Sequence, residues 1–459
     1  MKSKYQLDSA FLWKQRIGLG SIEFGRNLAD FMNTSYLMVF LTDVAKIDPA
    51  YISVMFFVSK LFDAFTDYIV SVLVDRTNTR IGRSRPWMFG GIAVLAIALV
   101  LLFCVPGTEN TVIQVIYAYA TYIFFTLGMT MVVIPEGALI PALSEDQRER
   151  TVLATSRGIA GGVANLVMSN LIVILLEKYG ITSQASGYFR TVLIVATASA
   201  CFVYFGLFMI HEINIPEYIE SKSNGSQLKT LKVLFTDKNY IIILIYGFGQ
   251  LLGMIPLMSE LVYYFQYIVG DMKLLPVGFS IFSIVPSVFS FLCPFMNRKL
   301  SKKNLARCGI AMDLLAMLIL LSVYNNPQLV ITALALWGAG NGFVGTMLWA
   351  IQPEIFDNLE LKTGRAVAAV PTAIVSYACK IGNAVAGAIT AALLSWFGYV
   401  GGAEVQSGLA KKGILLGFIG VPIIAYLIMF LSMSFYDLDK KYPEVRMLLE
   451  EKRREERCQ

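Results

Sequence analysis

The sequence predicts an all-α membrane protein of twelve transmembrane helices arranged in two six-helix bundles. Three observations carry this. Of 459 residues, 56% are hydrophobic and only 15% charged, against roughly 25% charge in an ordinary soluble chain. About twelve stretches approach the roughly 20 mainly apolar residues that a helix needs to cross a bilayer. Most of the 38 Lys and Arg fall in the termini and the even-numbered loops between those stretches, so the net charge of +6 reads as topogenic under the positive-inside rule rather than as a nucleic-acid surface.

The spans are expected, in order, over 18–42, 49–74, 86–106, 112–141, 152–177 and 188–211, then 239–268, 275–297, 304–324, 328–353, 366–398 and 413–436. The first seventeen residues, MKSKYQLDSAFLWKQRI, lack the apolar core and small-residue cleavage site of a signal peptide, so the first helix is expected to be retained. The loop after span two, DRTNTRIGRSRPW, gathers four Arg around Gly82, and the loop after span eight, NRKLSKKNLAR, gathers bases again; this echo hints at repeated halves, an architecture of secondary carriers. The expected organisation is an N-terminal bundle over 1–211, a cytoplasmic linker over 212–238, a C-terminal bundle over 239–436 and a charged cytoplasmic tail over 437–459. The tail alternates signs and reads as a solvated helix. Glycines in spans four, five, ten and eleven suit close helix approach.

Several chemistries are excluded. Six Cys occur without C-x-x-C spacing, so neither a disulfide framework nor a zinc site is expected. His211 is the only histidine, which removes a buried His relay. No HExxH or Gly-x-Ser-x-Gly appears, and an intramembrane enzyme is not expected.

A charge at the bilayer centre costs roughly 2.5–3.5 kcal/mol on insertion scales, so each one needs a partner or a task. The charged residues singled out within spans are Glu23, Arg26 and Asp30, then Lys60, Asp63 and Asp67, then Glu136, Glu260 and Lys380. Acids outnumber bases among them. In FFVSKLFDAFTDYIV, Asp63 and Asp67 stand at i and i+4, on one helix face. Two carboxylates that close repel unless one is protonated or a cation sits between them, and Thr130 in span four can add the hydroxyl oxygen that a hard ion accepts. Na⁺ or H⁺ binding is therefore expected at Asp63, Asp67 and Thr130, with Asp63 and Asp67 as metal ligands if the ion is Na⁺; an ion-pair cluster with Lys60 and Lys380 is the alternative. Asn27 and Asp30, with Arg26 beside them, offer hydrogen bonds to a polyhydroxylated ligand. Trp349, Gln352 and Asn383 add an aromatic face and amides of the kind that sugars bind.

The runs FGRNLADFMNTSYLMVFLTDV, KLFDAFTDYIV with DRTNTRIGRSRPW, IPEGALIPALSEDQRERT and LKTGRAVAAVPTAIVSYACKIGNAVAG resemble, in order and spacing over nearly the whole chain, the glycoside-pentoside-hexuronide:cation symporters of the major facilitator superfamily, which include the melibiose permeases. The resemblance implies the major facilitator fold and sugar uptake driven by Na⁺ or H⁺, with no cofactor. It puts the family's cation-site carboxylates on Asp63 and Asp67, its hydroxyl on Thr130 and its span-eleven lysine on Lys380. Where melibiose permeases carry sugar-site aspartates, this chain has Asn27 and Val133; Asp30 and Glu136 lie three residues further on. A galactoside is thereby disfavoured; an uncharged pentoside or glycoside fits, and a hexuronide could use Arg26 or Lys60 as its carboxylate partner. A multi-pass inner-membrane monomer with both termini cytoplasmic, in contact with lipid and not with nucleic acid, is expected. The rival readings are an exporter of amphiphilic compounds and a sugar sensor that does not transport.

Overall fold

The computed structural model describes residues 9–77, 79–107, 110–144, 147–179, 185–213, 234–324, 326–363 and 369–458. Residues 214–233 of the expected linker and 364–368 of the fourth motif lie outside the described residues. The described chain is helical: α1 (Ser9–Val39), α2 (Pro49–Arg76), α3 (Arg85–Leu102), α4 (Thr111–Leu143), α5 (Gln147–Tyr179), α6 (Ala185–Met209), α7 (Lys238–Ser259), α8 (Leu275–Met296), α9 (Lys302–Ser322), α10 (Pro327–Thr363), α11 (Ala369–Trp396), α12 (Gly408–Leu415), α13 (Val421–Ser434) and α14 (Leu438–Cys458). Ten helical segments among the described residues are long and apolar enough to cross a membrane. Two others, α1 and α2, are 31 and 28 residues long and carry the clustered charges at 23–30 and 60–67.

Local chemistry sets the helix starts. Asp48 precedes Pro49, whose missing N–H costs nothing at a first helical position, and its Oδ1 accepts from Ala50 N at 2.8 Å. Asn110 and Asp237 cap α4 and α7 in the same way, accepting from Val112 N and Tyr240 N at 3.0 Å each. The expected span 239–268 is interrupted. Pro256 removes a backbone donor and crowds the preceding turn, α7 ends at Ser259, and the chain resumes as a single turn, Leu261–Tyr263, and a π-helical turn, Tyr264–Val269. A second π-helical turn, Leu416–Gly420, separates α12 from α13. By contrast α10 runs past 353 to Thr363.

The chain forms two compact units, Met1–Ile219 with Gly398–Ser407, and Glu220–Phe397 with Gly408–Gln459. No sequence signal marked 398–407 as belonging with the first. Within the first unit α1 packs on α5 and α6, α3 on α4 and α6, and α2 on α4; within the second α7 packs on α11 and α13, α9 on α10 and α13, and α8 on α10. The pairing scheme repeats six helices later, except that α13 takes the place of α6 because the last span is divided into α12 and α13. Small residues permit the closest crossings: Gly18 and Gly206 leave no room for a Cβ between α1 and α6, and Gly309 and Gly340 do the same for α9 and α10. Of the expected span-five glycines, Gly158 faces open space.

The basic loops fasten each unit at one end. In the first, the Arg85 guanidinium donates to Leu207 O at 2.8 Å near the end of α6; in the second, Lys303 Nζ donates to Ser434 O at 2.8 Å at the end of α13. Cations at helix C-termini meet carbonyls that have no intrahelical donor. Glu212, just after α6, accepts from the backbone N–H groups of Arg83, Ser84 and Arg85 at 2.8, 2.9 and 3.0 Å. Gly82 precedes them at φ +117°, and a Cβ there would meet the Glu212 carboxyl. Glu212→Ala leaves three donors without their acceptor, so a loss of about 1–3 kcal/mol is expected, read as a lowered unfolding temperature and faster amide exchange at 83–85; Glu212→Gln should recover part of it.

Candidate functional site

Helix α2 is inverted relative to a soluble amphipathic helix. Ser59, Asp63, Thr66 and Val70 are buried while Phe62, Phe65, Tyr68 and Ile69 are exposed, the arrangement expected when the surroundings are apolar and polar groups find partners only within protein. On the buried face the Thr130 hydroxyl of α4 lies 3.0 Å from Asp63 Oδ1 and 3.0 Å from Asp67 Oδ1. A hydroxyl has one hydrogen and serves one of these acceptors at a time. The oxygen it does not serve then opposes oxygen lone pairs at hydrogen-bond distance, a contact relieved by a proton or a cation. Lys60 Nζ stands 3.8 Å from Asp63 Oδ2. Tyr122, buried two turns before Thr130 on α4, interacts electrostatically with Lys60, Asp63 and Asp30; nothing in the sequence pattern singled it out.

The second cluster joins α1, α4 and α5. Arg26 pairs with Glu23 and donates from Nε to Glu136 Oε2 at 3.0 Å. Arg157 pairs with the other Glu23 oxygen and lies 3.7 Å from Glu136 Oε1. Asn27 Nδ2 donates to Glu23 O at 2.8 Å and Glu23 Oε1 at 2.7 Å. Two carboxylates and two guanidiniums thus form a network without net charge, and Glu136 within it has 0% exposure. Glu23 is a central member of this network. Gly161 on α5 leaves space beside Asn27 and Glu23. Asp30, half-buried, lies one turn after Arg26 on α1. Val133 lies between Thr130 and Glu136 on α4 and is half-buried. Below these clusters a bidentate pair, Arg16 to Glu149 at 2.7 and 2.6 Å, holds α1 to α5.

In the second unit the residues chosen from sequence are less concentrated. Trp349 is 56% exposed. Gln352 is buried and spends its amide nitrogen on Leu348 O, one turn back, at 3.2 Å. Lys380 and Asn383 lie one turn apart on α11, both half-buried. Glu260 lies at the break after α7. Among the charged residues inside the expected spans that stand outside the sequence-derived set are Arg157 and Asp313. The signal existed, since each is a charge within 152–177 or 304–324, but one charge barely lowers the mean hydropathy of a long span. Asp313 is fully buried, and neither carboxyl oxygen has a hydrogen-bond partner among the described residues.

Residues 18–440 match the family described as MFS/sugar transport protein. The isoprimeverose transporter of Lactiplantibacillus pentosus is 28% identical over 97% of this chain and 92% of its own length. The glucuronide carrier protein homolog of Escherichia coli K12 is 28% identical over 94% of each. Among solved structures, a D-xylose-proton symporter superposes with a TM-score of 0.66 over 92% of this chain and 97% of its own, at 14% identity, which establishes a shared fold. Helical spans, buried intramembrane charge and these likenesses converge: the chain belongs to the MFS/sugar transport protein family, and it is a membrane transporter.

Proposed function

We propose that the protein is a sugar:cation symporter of twelve membrane crossings in two six-helix bundles, working by alternating access with both termini in the cytoplasm. Its ion, Na⁺ or H⁺, binds at Asp63, Asp67 and Thr130, with Lys60 as charge partner. The observation that carries this reading is the single Thr130 hydroxyl 3.0 Å from both carboxylates. A cation there offsets the repulsion between two acids one turn apart, and linkage requires that sugar and cation raise each other's affinity by the same factor.

The sugar is proposed to be an uncharged glycoside or pentoside held by Asn27, Asp30, Arg26 and Glu136 beside Val133. Arg26 and Arg157 are already neutralised by Glu23 and Glu136, so a hexuronate would have to displace a carboxylate partner, whereas a neutral sugar exchanges hydrogen bonds. The names of the relatives, an isoprimeverose transporter and a glucuronide carrier homolog, bracket the two classes. Thermal unfolding of the purified protein against a panel of glycosides, pentosides and hexuronates, with and without Na⁺, tests the reading. Joint stabilisation by a neutral sugar and a cation is expected; stabilisation by hexuronates alone would reverse the substrate assignment.

A further inference from the structure

Glu260 lies in the second unit, where two membrane-spanning segments lose regular helical form. Pro256 lies inside α7, which ends at Ser259; Glu260 follows with φ −99° and ψ −1°, and after the single turn Leu261–Tyr263 the chain enters the π-helical turn Tyr264–Val269. Against it lies the other π-helical turn, Leu416–Gly420, followed at once by Pro422. The two irregular segments touch twice. Tyr264 stacks on Phe418 with centroids 4.2 Å apart, and the Glu260 carboxyl occupies the space that a side chain at Gly417 would fill. π-helical turns inside longer helices concentrate at functional sites.

The carboxyl has 0% exposure, and neither oxygen has a hydrogen-bond partner among the described residues. The ionisable groups on its own segment and on α12 are Tyr263, Tyr264, Tyr267, Lys411 and Lys412. Tyr264 is committed to Tyr324 O at 2.6 Å. An ionised carboxylate that no donor among the described residues pairs is costly in such a place, which favours the neutral acid. A Na⁺ ion would need several oxygen ligands; a proton needs one.

We propose that Glu260 is a proton-binding site, separate from Asp63, Asp67 and Thr130, which holds its proton while the break at 256–260 packs on the turn at 416–420 and yields it to water when the two part during transport. The carboxylate left behind takes up a proton from water before they repack. This inference rests on the transport reading above for its consequence, but not for the protonation state.

Full-length protein in liposomes tests both parts. Infrared difference spectra of wild type and Glu260→Gln at neutral pH should show the C=O stretch of a protonated carboxylic acid in the wild type that the variant lacks. Sugar counterflow in the wild type should fall by about tenfold for each unit of alkaline pH beyond the proton's release, as expected when activity tracks one bound proton. Glu260→Gln, fixed in a neutral form, should not fall in step. Glu260→Asp keeps an acid and should keep both the band and the fall, which covers the case in which Glu260→Gln does not fold. Identical spectra, or the same alkaline profile in Glu260→Gln as in wild type, would overturn the proposal. Loss of cation coupling in Asp63→Asn reports on the cation site alone, so failure of the transport reading is distinguished from failure of this one.

Discussion

Asn in place of both Asp63 and Asp67 is expected to abolish cation-driven sugar accumulation in proteoliposomes while leaving a folded protein. The substitution keeps side-chain volume and removes the negative charge that a cation offsets. Thr130→Ala is expected to act more mildly, because it deletes one hydroxyl from the set. That hydroxyl stands 3.0 Å from each carboxylate, and a hydrogen bond to a charged group is worth about 1.5–3 kcal/mol, which converts to about a tenfold to hundredfold loss of apparent cation affinity. Thr130→Ser keeps the oxygen and should stay near wild type. Uphill accumulation that survives in the Asp63→Asn, Asp67→Asn double variant would remove these carboxylates from ion coupling.

The largest stability effect is expected from Arg26→Ala. Glu136 is fully buried, and its Oε2 accepts from Arg26 Nε at 3.0 Å; Arg157, at 3.7 Å from the other oxygen, must also serve Glu23. Removing one partner of a buried ion pair costs about 3–5 kcal/mol, because the remaining charge is stranded, whereas replacing both members by apolar groups of similar volume is often close to neutral. Arg26→Ala should therefore lower the unfolding temperature of the detergent-purified protein sharply, and the Arg26→Met, Glu136→Leu double variant should recover most of the loss without recovering sugar binding. Arg26→Lys should not rescue, since an ammonium lacks the fork that reaches both Glu23 and Glu136. An Arg26→Ala protein as stable as wild type would show that the network carries no net stabilisation.

The two clusters differ in how far they could be read from sequence. Asp63 and Asp67 share a face because they are one helical turn apart, and that geometry is local. Thr130 was within reach of inference as a hydroxyl in span four, and the family resemblance named it as well. The pairing of Glu23 with Arg157, separated by 134 residues in the chain, had no local signature, and Asn27, which reads as a sugar ligand, turns out to donate to Glu23 four residues earlier. Gln352 is a comparable case: an amide in a span can bind a ligand or its own helix, and only packing decides between them. At Glu260 the sequence displays the acid and Pro256, but its lack of partners emerges only when Gly417 is brought against it.

By itself the sequence determined that this is a helical membrane protein, where most of its helices begin, and which face of α2 is polar. These follow from one-dimensional rules: a bilayer demands internally bonded backbone over a set length, and the helical period then assigns the faces. The tertiary structure alone decided which charges neutralise which, that residues 398–407 belong with the first unit, and that two spans break beside a buried acid. Those outcomes depend on how each helix is rotated and how closely it approaches its neighbours, set by contacts such as Gly18 with Gly206 between residues far apart in the chain.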